Sequence, residues 1–309
     1  MRHQPIASAP VANSGQIMIF VLRKLAPGTA AVSLAACAAM PPLVGASPGS
    51  DYDYRLIEPG GEAAVRAHVL TIDLTRPDLR FGVTPGDTSL GMEYVARLTS
   101  AYLEETGAKV AINASYFLPF KGGSEGGSDY YPHVGQAVSV SGAALSNGRA
   151  TSPVETHLDE RVDSIICFAG AHVVIEDGQV CPDGYADGVA AGPRLLEAGR
   201  RLDFRDAHAG SRHPRTAIGV SADRKTAWIV VVDGRQTSSA GQTLPELADL
   251  FVGLGAADAI NLDGGGSSTL AVDDGQGHAR ILNSPIHTKV PGRERPVANH
   301  IALFWGDDR

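Results

Sequence analysis

Asp263 follows the apolar run Ala259 to Leu262 and is itself followed by Gly264, Gly265, Gly266, Ser267 and Ser268. Three consecutive glycines are entropically costly in a regular element. They suit a place where the backbone takes positive φ or where another group approaches closely. Successive N–H groups in such a turn can form a small anion-binding nest, and Asp263 sets a carboxylate at its lip. A tight hairpin turn capped by Asp263, with a second strand starting at Thr269, is the plainer alternative. Other polar residues flank apolar runs: Asn113 after Lys109 to Ile112, Asp233 after Ala227 to Val232, and His213-Pro-Arg215-Thr216 ahead of Ile218. Strand ends of one sheet can converge on one cleft, where they hold side chains rigidly. Arg215 carries a planar fork matched to carboxylate or phosphate, and Arg295, ahead of the last apolar run, offers a second. Each has a duller role open to it: Arg215 as an ion pair, Asp233 as the turn residue before Gly234, Asn113 as a cap.

Familiar catalytic templates are missing. No Gly-x-x-x-x-Gly-Lys-Ser/Thr occurs, so the glycines are not a nucleoside-triphosphate loop. Gly-x-Ser-x-Gly occurs only at Gly45–Gly49, beside the leader, and at Gly122–Gly126, inside the 118–135 loop, neither of them a strand-to-helix elbow, and no His-Glu-x-x-His pair is present. Ser267 or Ser268 would need a nearby base to act as a nucleophile, and the sequence shows none.

The elements that must position these residues are mostly strands. Val65 to Leu74 alternates in part, as a half-buried strand does. Ser89 to Thr106 places Val95, Leu98, Tyr102 and Leu103 on one face and ends at Gly107, the pattern of a helix with a glycine stop. Residues 118–135 form a Gly-, Ser- and Tyr-rich loop long enough to be functional or disordered. Ile218 to Ser221 and Ala227 to Val232 flank an Asp223-Arg-Lys turn, as in a hairpin. Thr243-Leu-Pro-Glu246 reads as a capping box opening a helix that stops near Gly253 or Gly255. Strands outnumber helices and few βαβ alternations appear. The expected fold class is therefore α+β: a mixed, mainly antiparallel β-sheet core with flanking helices in a single catalytic domain.

The chain has 309 residues, a net charge of −8 and 43 % hydrophobic residues, which suits one large domain. This mild acidity gives no basic footprint for nucleic acid. Residues 1–46 read as a leader, with the domain spanning 47–309. Arg23 and Lys24 precede the Ala-rich run Leu25 to Met40, and Leu34-Ala-Ala-Cys37 resembles the bacterial lipobox, in which the cysteine is acylated. Cleavage at the small residues Val44-Gly45-Ala46 is the alternative. Acylation at Cys37 would hold an exported domain on the membrane surface of the cell envelope. It would also leave Cys167 and Cys181 as a pair in an oxidising compartment. Val173 to Val180 between them reads as two strands around the Asp177-Gly178 turn, so a disulfide across the base of a hairpin is expected. Neither cysteine has histidine at zinc spacing, and the sequence defines no metal-ligand set.

Four segments together resemble the phosphodiester glycosidase family. They are Asn261-Leu-Asp-Gly-Gly-Gly-Ser-Ser268, His213-Pro-Arg-Thr-Ala-Ile-Gly-Val220, Val231-Val-Asp-Gly-Arg235 and Arg295-Pro-Val-Ala-Asn299. The resemblance runs from about residue 65 to 305. The family's Asn-Gly-Gly-Phe/Tyr-Phe is replaced here by Asn113-Ala-Ser-Tyr-Phe117, which narrows the space beside Asn113. The resemblance implies cleavage of a sugar 1-phosphodiester, such as one of N-acetylglucosamine in a phosphate-linked glycan, to free sugar and a phosphomonoester. A phosphomonoester departs without full protonation, so such a site needs cations and N–H donors more than a strong acid. Arg215, Arg295 and the Gly264–Gly266 turn with Ser267 could supply them. Asp263 or Asp233 could serve the oxocarbenium-like carbon as nucleophile or base, His213 could carry a proton, and Asn113 could bind a sugar hydroxyl or 2-substituent. No cofactor is required by this chemistry. A divalent cation such as calcium or magnesium on Asp233 and Asp263 would define instead a metal-assisted phosphodiesterase. A non-catalytic module binding anionic glycan is the third alternative.

Overall fold

The computed structural model describes residues 51–58, 63–154, 160–204 and 208–306. The leader, Cys37 and the Val44-Gly45-Ala46 alternative lie outside the described residues. The architecture is almost wholly β. A seven-stranded sheet runs, edge to edge, through Asp53–Ile57, Ala67–Asp73, Thr226–Val232, Arg215–Val220, Asp258–Asn261, Arg194–Glu197 and Arg200–Arg201. A five-stranded sheet has the order Ala279–Ile281, Leu270–Asp273, Val110–Asn113, His300–Phe304 and Arg80–Val83. A second five-stranded sheet is built around Ser164–Ala169, and a small three-stranded sheet around Ala137–Val140.

Alternation along the strands sets the layers. Ile218, Ile229 and Ile260 point to one face of the large sheet, where they meet Ile112, Leu270 and Ile301 of the first five-stranded sheet and Phe168 of the second. Their neighbours Ala217, Trp228, Val230 and Ala259 point the other way, onto helix α2 (Leu244–Leu254) through Leu247, Ala248 and Phe251. Helix α1 (Thr99–Thr106) covers the outer face of the first five-stranded sheet, laying Tyr102 and Leu103 on Ala111, Ala271 and Ala302. The expected capping box on α2 is present: Thr243 Oγ1 accepts from Glu246 N and Thr243 N donates to Glu246 Oε2. The hairpin around Asp223 is also present, with Val220 opposite Ala227.

Several expectations need correction. Every described strand ladder is antiparallel, and the two α-helices have only 8 and 11 residues, so the fold is predominantly β rather than α+β with a mixed sheet and flanking helices. The reason lies in α2. It carries the chain from Thr226–Val232 to Asp258–Asn261, and Arg215–Val220 stands between those strands, antiparallel to both. A helical crossover therefore creates no parallel pair. The helix expected over Ser89–Thr106 begins only at Thr99, because Tyr94 and Val95 are taken by a ladder with Ala137 and Val138.

The Cys167–Cys181 disulfide forms, with Cα atoms 5.8 Å apart. It does not close a hairpin turning at Asp177-Gly178. The hairpin turns at Gly170-Ala171, pairing Ser164–Ala169 with His172–Asp177, and the disulfide ties the segment leaving that hairpin back to Cys167.

Candidate active site

Asp258–Asn261 belongs to the seven-stranded sheet and Leu270–Asp273 to the first five-stranded sheet, where Leu270 pairs with Ile112. The Asp263–Ser268 turn is therefore a crossing between two sheets and not a hairpin. Asn113, the last residue of its strand, fastens both ends of this crossing from below. Its Nδ2 donates to the Asp263 carbonyl at 2.6 Å, and its Oδ1 accepts from Thr269 N at 3.2 Å and Thr216 Oγ1 at 2.8 Å. Fully buried and with its amide so committed, Asn113 holds the turn and does not face the cleft. Ala114 and Ser115, which replace two glycines of the resembling motif, are buried as well, and Asp263 N donates to the Ala114 carbonyl at 2.9 Å.

Gly265–Ser267 makes one 3-10 turn. Asp263 sits at its head, with Oδ1 accepting from Gly264 N at 2.9 Å and the carboxylate also receiving the Ser267 hydroxyl. Two arginines lie on the glycines. Gly265, at φ 64°, has no Cβ to meet the Arg235 guanidinium, which a Cβ would approach to 3.2 Å. A Cβ on Gly266 would collide with Arg295 Nη2. The glycine run thus lets two guanidinium groups rest directly on backbone. Each arginine is in turn backed by an imidazole: Arg235 Nη2 donates to His213 Nδ1 at 3.1 Å, and Arg295 Nε donates to His287 Nδ1 at 3.1 Å. Arg295 Nη1 reaches Ser267 Oγ at 3.4 Å, and the Phe120 ring covers Arg295 at 4.6 Å from its centroid.

The electrostatics follow from this crowding. Desolvation pushes the Asp263 carboxyl up to about 6, against the opposing pull of the Ser267 hydroxyl, the Arg295 charge, the Gly264 N–H and the Arg161 charge. Desolvation also lowers the basicity of Arg295 and Arg235, while Asp263 acts in the opposite direction on both. His287 is pushed down to about 4 by burial and then by the charges of Arg295, Arg293 and His133, so it is neutral and accepts through Nδ1.

Two other expected site residues make contacts of their own, and Arg215 Cα borders the glycine turn, 3.7 Å from where a Cβ on Gly264 would stand. Asp233 is buried, with Oδ1 accepting from Ser284 N at 2.7 Å and Oδ2 facing His68 Nε2 at 3.2 Å; His68 Nδ1 meets the Tyr54 hydroxyl at 2.9 Å. Its carboxylate anchors the segment that leads to His287. Arg215 is 8 % exposed, and its Nε and Nη2 donate to the carbonyls of Gln242 and Ser211, both at 3.0 Å. Those two donors hold the loop carrying His213. Among the described residues no group of three or more His, Cys, Asp or Glu side chains is arranged to hold a metal ion.

The profile of the phosphodiester glycosidase (NAGPA) family matches residues 106–304, which include Asp263, Arg235, Arg295 and the imidazoles behind the two arginines. The chain belongs to the phosphodiester glycosidase family. Among curated proteins, an SPbeta prophage-derived protein of Bacillus subtilis (strain 168), YomE, is 37 % identical over 97 residues. That match covers 31 % of this chain and 14 % of the prophage-derived protein, so it spans only a small part of that relative's length. Two solved structures share the fold. The catalytic domain of zebrafish N-acetylglucosamine-1-phosphodiester alpha-N-acetylglucosaminidase, auto-inhibited by its pro-peptide, aligns with a TM-score of 0.57 at 16 % identity, over 86 % of this chain and 85 % of that one. A hypothetical protein from Synechocystis aligns with a TM-score of 0.52 at 18 % identity, covering 82 % of this chain and 62 % of that one.

Arg235 and His287, which join this cluster, are not among the candidates that the sequence marks. Arg235 was within reach, since Val231-Val-Asp-Gly-Arg235 is one of the resembling segments, but its Asp-Gly pair reads as a plain turn. His287 had no signal; it lies in an aperiodic polar stretch.

Proposed function

We propose that this chain is an exported hydrolase cleaving a sugar 1-phosphodiester, of the N-acetylglucosamine-1-phosphodiester kind, in envelope or extracellular glycans. The observation that carries this reading is one carboxylate, Asp263, flanked by two guanidinium groups on a single glycine turn. An anion seated between Arg235 and Arg295 places its ester-linked sugar carbon toward the carboxylate. The bond between the anomeric carbon and the phosphate oxygen breaks, and its electron pair leaves on phosphate, whose growing charge the arginines and the turn's N–H groups stabilise. Ionised Asp263 either attacks that carbon, forming a glycosyl ester that water then cleaves to free sugar, or takes the proton of the attacking water. His213 enters as the support of Arg235, and Asp233 and Asn113 as supports of the surrounding backbone. No cofactor has a part in these steps.

The Cys167–Cys181 disulfide supports an oxidising, extracytoplasmic location. With a lipid on Cys37, the domain would work at the membrane surface on phosphate-linked glycan. Product analysis of purified protein on a panel of sugar 1-phosphodiesters, with and without chelator, tests the reaction. Free sugar, unaffected by chelator, is the expected product. Sugar 1-phosphate lost on chelation would mean a metal-assisted phosphodiesterase, and retained affinity without product would mean a glycan-binding module.

A further inference from the structure

We propose that His287 is a positioning residue, whose Nδ1 fixes the orientation in which Arg295 meets the anion. The inference rests on the reading above for its substrate, but its geometry stands independently. His287 is 1 % exposed, and its Nε2 has no hydrogen-bond partner among the described residues, while Nδ1 takes the Arg295 Nε–H at 3.1 Å. A buried imidazole satisfied on one side only is an unfavourable choice for filling space, where an aliphatic side chain leaves nothing unpaired. What the imidazole adds is the single acceptor aimed at Arg295.

The local backbone bends to provide it. Thr288 and Lys289, next in the chain, both adopt left-handed φ, 49° and 60°, a conformation that a β-branched residue resists. Neighbouring segments hold that turn: Gly126 N donates to the Thr288 carbonyl and Arg293 Nη1 to Thr288 Oγ1, both at 2.9 Å. The Tyr130 ring stands edge-on to the imidazole at 4.0 Å. These contacts hold His287 in place, and the guanidinium it holds also lies against Gly266 and the Phe120 ring. With Nε engaged, Arg295 is left its Nη edge, which reaches Ser267, while its charge acts on the Asp263 carboxylate.

The test compares His287→Asn, which can retain an oxygen acceptor, with His287→Leu, which fills similar space without one. For a sugar 1-phosphodiester, the Leu variant is expected to raise KM on the order of 10-fold or more while kcat falls less, and the Asn variant to recover most of that loss. Melting temperatures of the two should be similar. Unchanged KM in the Leu variant, or equal damage in both variants in step with lost stability, would overturn the proposal. If wild-type protein cleaves nothing in the panel, the functional reading fails while this one remains decidable by nitrogen NMR of the imidazole. The Nδ1 resonance should be that of a hydrogen-bonded acceptor in the wild type and should move in Arg295→Met. An Nδ1 signal indifferent to that substitution would sink the idea.

Discussion

Asp263→Asn should inactivate the protein and stabilise it at the same time. The carboxyl is raised from 3.8 to about 6 by burial, against its hydrogen bonds and the nearby arginines. A raised value means that the folded state favours the protonated form. Its stabilising contribution is full below the unfolded-state value and is lost as pH rises through about 6. Two pKa units correspond to about 3 kcal/mol, which the ionised carboxylate withholds from folding at pH 8. Asparagine keeps the shape and carries no charge at any pH, so it should recover part of that amount. At roughly 2–4 °C per kcal/mol for a domain of this size, the variant should melt several degrees above wild type at pH 8. That gap should close as pH falls below 5. Turnover of a sugar 1-phosphodiester should drop on the order of 10³-fold, a barrier increase of about 4 kcal/mol. Thermal melts at two pH values and a steady-state assay suffice. If the variant turns over normally and melts lower than wild type at pH 8, Asp263 is a cap for Gly264 N and the argument is refuted.

Wild-type kcat/KM should fall about tenfold per pH unit below about 6, because the working form of Asp263 is ionised; a profile flat down to pH 4.5 would contradict this. Arg235→Lys and Arg295→Lys should each raise KM roughly 10- to 100-fold, the worth of a charge-assisted hydrogen bond, whereas Arg215→Lys should mainly lower the melting temperature through loss of its bonds to Gln242 and Ser211. Cys181→Ser should cost up to about 3 kcal/mol on the chain-entropy account, read as a lower melting temperature matched by wild type in reductant and with turnover per folded molecule preserved. Intact mass of the native protein should show a diacylated Cys37 at the N-terminus, and an unmodified terminus at Ser47 would dismiss the anchor.

The strands were legible because alternating or continuous β-branched runs such as Ala227 to Val232 have few other ways to fold, and α2 because Thr243 and Glu246 announce its start. The sheet to which each strand belongs was not legible. Leu270 pairs with Ile112, about half the chain away, and nothing near Leu270 encodes that choice. The glycine turn accordingly passed for a hairpin as readily as for a crossing. Within the site, Asp263 was legible as a charge beside glycines and Arg295 as a guanidinium ahead of the last apolar run. Asn113 was visible as a site residue, but which way its amide points depends on Thr216 and Thr269. Arg235 stood inside a recognisable segment, yet its φ of 59° turns the side chain onto Gly265 rather than out along a hairpin. His287 depends on a left-handed bend that Thr288 and Lys289 do not advertise.

Because the Asp263–Ser268 crossing passes from one sheet to another, its conformation is defined only after both sheets have docked. Asn113 comes from the first five-stranded sheet, Thr216 from the seven-stranded one, and the amide that joins them also fixes the turn. Neither sheet alone can display the carboxylate between its two guanidinium groups. Activity therefore reports complete assembly: fragments, intermediates and partly unfolded forms that keep one sheet intact should be hydrolytically silent.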